Sequence, residues 1–233
     1  MTDRFNMRRF WTMLRHDYDH NIVSWIGLPL GVFGGLLASE AGLSLVDIST
    51  VGEFTDAVSI VLRMFYMLAL VIMGSFMFDK MQTRHGQIAY LTLPATAFEK
   101  YLVNWVETVV ATFVSFVVGV VAADAVRVAF SMMLGSDPEF CTMIMTQVFV
   151  GDYVLPWTST FLWLQSIMMI ASALWRKKTL VRGLALLVVV VILTDCAFNV
   201  LQLTNQIKII VLITLTVINY VITYRIFAKT QIR

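Results

Sequence analysis

Residues 184–193 read LALLVVVVIL, ten apolar residues with no polar break. A strand of an outer-membrane barrel would alternate apolar and polar residues over ~10-residue segments, and this run does not alternate. It lies inside a longer apolar stretch, 180–203, which reaches the ~20 residues a helix needs to cross the hydrocarbon core of a bilayer. Five further stretches read the same way: 21–39, 57–79, 101–124, 155–175 and 207–226. The predicted fold class is therefore all-α: a polytopic membrane protein with six transmembrane helices, forming one membrane domain over 1–233.

Composition agrees with that reading. The chain is 59% hydrophobic and 14% charged, against ~45–50% apolar and ~25% charged in soluble domains. Too little polar surface remains to coat a water-soluble globule. A net charge of +2 says little by itself, because placement matters more than the sum. Placement is asymmetric. With an even number of spans both termini share a side, and that side carries Arg4, Arg8, Arg9, Arg15, Lys80, Arg84, Lys100, Arg176, Lys177, Lys178, Arg182, Arg225, Lys229 and Arg233. The other side and the spans keep Arg63, Arg127 and Lys208, with acidic residues such as Glu40, Asp47, Asp137 and Glu139 in the loops. The positive-inside rule then makes both termini cytoplasmic, and the expected location is a bacterial inner membrane. The first apolar run follows twenty polar or amphipathic residues with three aspartates, unlike a cleavable signal peptide.

Residues 3–20, DRFNMRRFWTMLRHDYDH, place Met7, Phe10, Trp11, Leu14 and Tyr18 at helical spacing, the pattern of an interfacial amphipathic helix. In the first span Gly27, Gly31 and Gly35 recur every fourth residue, so they share one helix face and let a second helix approach closely. The connection 125–154 is rich in methionine and aromatics and predicts a short helix on the outer surface. Cys141 and Cys196 have no metal or redox spacing.

Between the second and third spans the chain reads QIAYLTLPATAFEKYLVNW, residues 87–105. Thr96-Ala-Phe-Glu99 has the form of a capping box, in which the threonine accepts from a free backbone amide and the glutamate reaches back. Pro94 keeps an upstream helix from running through. The third span thus starts near Thr96, with Glu99 and Lys100 at headgroup level, and Ile88, Tyr90 and Leu91 give the upstream piece an apolar side.

The segment YLTLPATAFEKYLVNW, 90–105, resembles the Leu-Pro-Ala-Ser/Thr…Glu-Lys-Phe/Tyr pattern of small bacterial permeases of the ABC type-2 class. Six spans, an amphipathic N-terminal helix and cytoplasmic termini are similar too. The resemblance implies a permease working as a homo- or heterodimer with a separate ABC ATPase subunit. It also implies a cytoplasmic coupling region, 80–100, in which Lys80, Arg84, Tyr90, Pro94, Thr96, Glu99 and Lys100 serve ATPase docking. The chain departs from exporters of that class in having no sizeable outer helix between the fifth and sixth spans.

No G-x-x-x-x-G-K-[ST], H-E-x-x-H or G-x-S-x-G pattern occurs, so ATP hydrolysis is expected on a partner, and no catalytic, metal or cofactor residue is assigned. Nucleic acid is not an expected partner; the lipid bilayer is. Polar groups within spans carry more information, since a charge at mid-bilayer costs ~2.5–3.5 kcal/mol and wants a partner or a cavity. Arg63 and Asp195 enter from one side to similar depths and are expected to pair, with Asp124 and Arg127 as rival partners. Glu107 has no obvious mate. Asp195, Asn199 and Gln202 form a polar face on the fifth span, as Thr216, Asn219 and Thr223 do on the sixth. Such faces are interhelical hydrogen-bond glue or the lining of a path. A non-transporting membrane assembly or regulatory protein, and an ion-coupled carrier using Arg63, Glu107 and Asp195, remain as alternative functions.

Overall fold

In a computed structural model, residues 5–20, 26–27, 29–35, 37–38, 51–81, 86, 88, 90, 92–133, 154–175 and 178–231 are described. Every regular element among them is helical: α1 (Met7–His20), α2 (Val51–Phe76), a 3-10 turn (Asp79–Met81), α3 (Ala97–Val106), a π-turn (Glu107–Ala111), α4 (Thr112–Met133), α5 (Val154–Leu174), α6 (Thr179–Val200) and α7 (Asn205–Gln231). Further helical residues fall at 26–27, 29–35 and 37–38.

The valine run in α6 is stiff and β-branched, which by itself disfavours a helix slightly. In a bilayer that preference is overridden. No water is present to satisfy exposed amides, and only a helix pairs them within one segment. Four helices among the described residues are long and apolar enough to cross a membrane, over Ile60–Met81, Ala97–Ala129, Thr179–Val200 and Asn205–Lys229. On α6, Val181, Val188, Val189, Ile192 and Leu193 are all exposed. Apolar surface on that scale is untenable in water, and these are a membrane protein's helices.

The apolar stretch expected at 155–175 is helical as α5, but it is not among those four. From Phe161 to Met169 nearly every residue is buried, so α5 is an inner helix wrapped by others. The stretch at 21–39 lies partly outside the described residues. In the connection 125–154, residues 125–133 simply prolong α4, and 134–153, including Cys141, are outside the described residues.

The chain divides into two compact units. The first comprises Met1–His20, Leu70–Val110 and Leu155–Arg233. Its core gathers Met77, Phe78, Met81, Tyr90, Tyr101, Met169 and Phe227, with Phe78 stacked on Phe227 at 5.2 Å and the Tyr101 hydroxyl donating to the Tyr220 carbonyl at 3.0 Å. Gly74 and Gly183 let backbones close onto α5: a Cβ at Gly74 would lie 3.1 Å from the Gln165 carbonyl oxygen, and one at Gly183 would lie 2.9 Å from Met168.

The second unit comprises Asn21–Ala69 and Ala111–Val154. Val32, Leu62, Phe116, Val120 and Ala123 form its core, and the rings of Tyr66 and Phe116 meet at 4.8 Å. The glycine face expected for tight packing is only partly used. A Cβ at Gly35 would strike Phe65 at 2.5 Å, whereas Gly27 and Gly31 meet nothing within 4 Å. The closest backbone approach belongs instead to Gly119, whose Cβ would sit 3.0 Å from the Pro29 carbonyl oxygen.

Candidate functional site

The polar cluster of the first unit is built on the start of α3. Thr96 has extended backbone angles, φ −70° and ψ 157°, and its Oγ1 accepts from the Glu99 amide at 3.2 Å. Glu99 Oε2 accepts from the Thr96 amide at 2.9 Å. This is the capping box that the residue pattern predicts. Pro94 lies two residues upstream in the turn that precedes it.

Local pattern gives no hint of the other half of Glu99. Its Oε1 accepts from the Asn6 amide at 2.7 Å and from Arg9 Nη2 at 3.1 Å, so the cap of α3 also fastens the start of α1. Glu99 is fully buried, while the Arg9 side chain is 35% exposed. Two turns further along α1, Asp17 Oδ2 lies 2.8 Å from Lys80 Nζ. The same ammonium donates to Glu107 Oε2 at 3.0 Å, which supplies the mate that Glu107 lacked. Lys80 therefore ties α1, the 3-10 turn and the start of the π-turn to one point.

Lys100, Asn104 and Glu107 follow at i, i+4 and i+7, so one face of α3 carries them. Lys100 and Asn104 are each 2% exposed. Tyr90 covers this face: its hydroxyl donates to the Lys100 carbonyl at 3.1 Å, and Lys100 Nζ lies 5.9 Å from its ring centroid. Burial, reinforced by the carboxylates of Asp17 and Glu107, pushes the Tyr90 hydroxyl above the ordinary tyrosine range and keeps it a protonated donor. Asp17 and Glu107 share the one ammonium of Lys80, and that contact offsets part of the cost of taking charge out of water, since an uncompensated ion costs several kcal/mol.

The π-turn adds a further polar contact. Widening the turn takes carbonyls off the i+4 ladder, and Gln165 Nε2 of α5 donates to the Thr108 carbonyl at 3.1 Å. Thr108 Oγ1 in turn donates to the Asn104 carbonyl at 2.7 Å. On α7 the Asn219 amide donates to Ser166 Oγ at 2.9 Å, so part of the polar face of that helix does bridge helices.

Of the residues expected to serve docking, Tyr90, Glu99 and Lys100 are buried. Lys80 is half-buried, Pro94 is exposed, and Arg84 is outside the described residues. Asp195, Asn199 and Gln202 are exposed at the far end of α6. Arg63 belongs to the second unit and Asp195 to the first. Asp124 and Arg127, the rival partners, pair with each other at 2.9 Å across one helical turn.

Sequence reasoning missed Asn6, Arg9, Asp17 and Gln165. One signal was present for Asp17, which falls seven residues after Phe10 and three after Leu14, a charge where an apolar side was expected. Phe10 and Asp17 indeed turn inward together, whereas Met7 and Trp11 turn out. The apolar face read along 3–20 is therefore split between the protein and its surroundings. Set against protein-family models, curated proteins and solved structures, the chain matches none of them.

Proposed function

We propose that this chain is the membrane-spanning permease subunit of an ATP-driven ABC type-2 exporter. In this reading it has six spans, cytoplasmic termini, and α1 lying at the inner face of a bacterial inner membrane. A separate ATPase would bind near residues 80–100, and the permease would work as a homo- or heterodimer. The observation that carries the proposal is the double grip of Glu99. Coupling requires a surface element that does not yield when pushed, and here the start of α3, the turn at Pro94 and α1 are fastened into one piece by buried charge. Nucleotide chemistry would stay on the ATPase, and this chain would transmit its movement.

Dimerisation has support of its own. Asp195 and Asn199 are exposed on a helix otherwise surrounded by apolar side chains. Asp195 lies five residues from the end of α6, where a carboxylate facing hydrocarbon costs less than the ~2.5–3.5 kcal/mol of mid-bilayer but is still unfavourable, so a polar surface, the second permease subunit or the path between the two, is the fitting neighbour.

The test is recovery of the tagged chain from native membranes in mild detergent, with ATP hydrolysis assayed in the eluate. Vanadate-sensitive activity that survives in wild type and drops at least several-fold with Pro94→Ala, at equal membrane insertion, is expected. An eluate without nucleotide hydrolysis, from wild type and variant alike, rules the permease reading out.

A further inference from the structure

A groove of about 340 Å³ runs between α1 and the turn at Leu93, Pro94 and Ala95. Its size falls at the low end of ligand sites, ~300–1,000 Å³. Met13, Leu93, Pro94 and Ala95 give it apolar walls, and Arg8 and Arg9 line it too, the Arg9 guanidinium being held by Glu99 at 3.1 Å. Asp17 also contributes to the lining, but its carboxylate is answered by Lys80 at 2.8 Å. Arg8 is exposed and has no carboxylate partner among the described residues, and Arg15, seven residues on and so on the same side of α1, is exposed too.

The groove's height in the membrane follows from the cap. The candidate span Ala97–Ala129 is longer than the ~20 residues that cross the hydrocarbon core, so its first turn, with Glu99 and Lys100, falls at headgroup level and the Leu93–Ala95 turn lies beside it. Around this turn the surface is aromatic and apolar: Phe5, Met7, Trp11 and Phe98 are 46%, 56%, 57% and 47% exposed. Phe5 meets Phe98 edge-on at 6.2 Å. The amphipathic ring of Trp11 belongs at the headgroup level, and the wholly apolar Phe5, Met7 and Phe98 favour its hydrocarbon side.

From these we infer that the groove binds an anionic phospholipid, its phosphate against Arg8 and its first acyl carbons along Met13, Leu93 and Pro94. Phosphate and guanidinium match in charge and fork geometry. Free phosphate would leave the apolar walls wetted, whereas a lipid uses both halves of the groove. This inference rests on membrane insertion and is independent of the transport proposal.

The experiment strips the full chain of lipid in detergent and titrates it with short-chain phosphatidylglycerol, phosphatidylcholine or inorganic phosphate, with binding read by native mass spectrometry. Phosphatidylglycerol should bind more tightly than phosphatidylcholine, with about fivefold of the preference lost with the Arg8 guanidinium. Arg8→Gln and the groove-filling Ala95→Trp should each reduce the preference, and Arg8→Glu should abolish it. Arg8 is exposed, so its variants test binding without disturbing the core. Equal affinity for the two lipids overturns the inference, as does a preference that survives both Arg8→Glu and Ala95→Trp. Inorganic phosphate binding as tightly as phosphatidylglycerol would make this a phosphate site and overturn the lipid assignment. A polyglutamate peptide that binds wild type but not Arg8→Glu, where phosphatidylglycerol does not bind, would assign the groove to an acidic protein segment instead.

Discussion

Glu99 and Arg9 meet at 3.1 Å across 90 residues of sequence, through a carboxylate that is fully buried and also closes the cap of its own helix. Glu99→Gln keeps the shape but sets an amide among donors that expect an anion. Removing one partner of a buried pair costs ~3–5 kcal/mol, and because Arg9 is partly solvated the lower end is expected. Arg9→Gln should cost less, and the double variant should be more stable than the sum of the two predicts. Thermal unfolding in detergent measures all three; strict additivity would show that the contact carries no coupling.

Lys80 holds two carboxylates, so its loss leaves Asp17 and Glu107 facing each other. Lys80→Met should destabilise by at least ~3 kcal/mol. Adding Asp17→Asn and Glu107→Gln should recover a large part. If proteolysis near α1 is used as the readout, Lys80→Met should expose α1 to cleavage, and the triple variant should protect it again.

Gly119 and Gly31 should behave oppositely. Gly119→Ala forces a Cβ against the Pro29 carbonyl, and overpacking of this kind costs ~1–3 kcal/mol. Gly31→Leu meets open space within the protomer and should leave the protomer's melting temperature unchanged. If Gly31→Leu instead dissociates a dimer in native mass measurements, the glycine face is a subunit contact.

The Tyr90 hydroxyl gives a pH dependence whose sign is fixed. Its folded value is raised by burial above the ~10 of an unfolded tyrosine. Its contribution is therefore complete below about pH 10 and is lost as pH rises from there through the folded value. Wild type should lose stability above pH 10 more steeply than Tyr90→Phe. At neutral pH the variant should be weaker by ~0.5–1.5 kcal/mol, the worth of the hydrogen bond to Lys100.

Gln202 has φ +46° and closes the end of α6, with its amide donating to the Asn199 carbonyl at 3.3 Å and the Leu203 amide to the Phe198 carbonyl at 3.4 Å. This is the Schellman arrangement, in which glycine is the usual occupant. Gln202→Gly should stabilise by ~1 kcal/mol, since an L-residue in this conformation carries a cost of ~1–2 kcal/mol. A drop in melting temperature would mean that the glutamine side chain has a contact worth more than its backbone strain.

What the sequence makes readable follows the range of the force involved. The spans at 180–203 and 207–226 announce themselves because ~20 apolar residues in a row have few other uses, and the Thr96–Glu99 cap is legible because its partners are three residues apart. Glu99 to Asn6, Lys80 to Asp17 and Gln165 to Thr108 leave no local trace, since each joins segments whose nearness only the folded chain decides. The glycines show the same limit. A repeat at 27, 31 and 35 attracts the eye, while lone Gly119 and Gly74 in apolar runs do not, yet those two are where backbones come closest. Gln202 escaped because it continues a helical spacing that in fact stops at Val200.

The grip of Glu99 on α1 also sets an order of events during synthesis. Asn6 and Arg9 leave the ribosome long before the carboxylate that will hold them. At ~5–20 residues per second, roughly 5–20 s separate Arg9 from Glu99. α1 has two anchors, Lys80 on Asp17 and Glu99 on Asn6 and Arg9, and both are made after it, Lys80 first and Glu99 last. α1 is therefore made before α3 yet seated only after it, and its docking reports that α3 has already been capped.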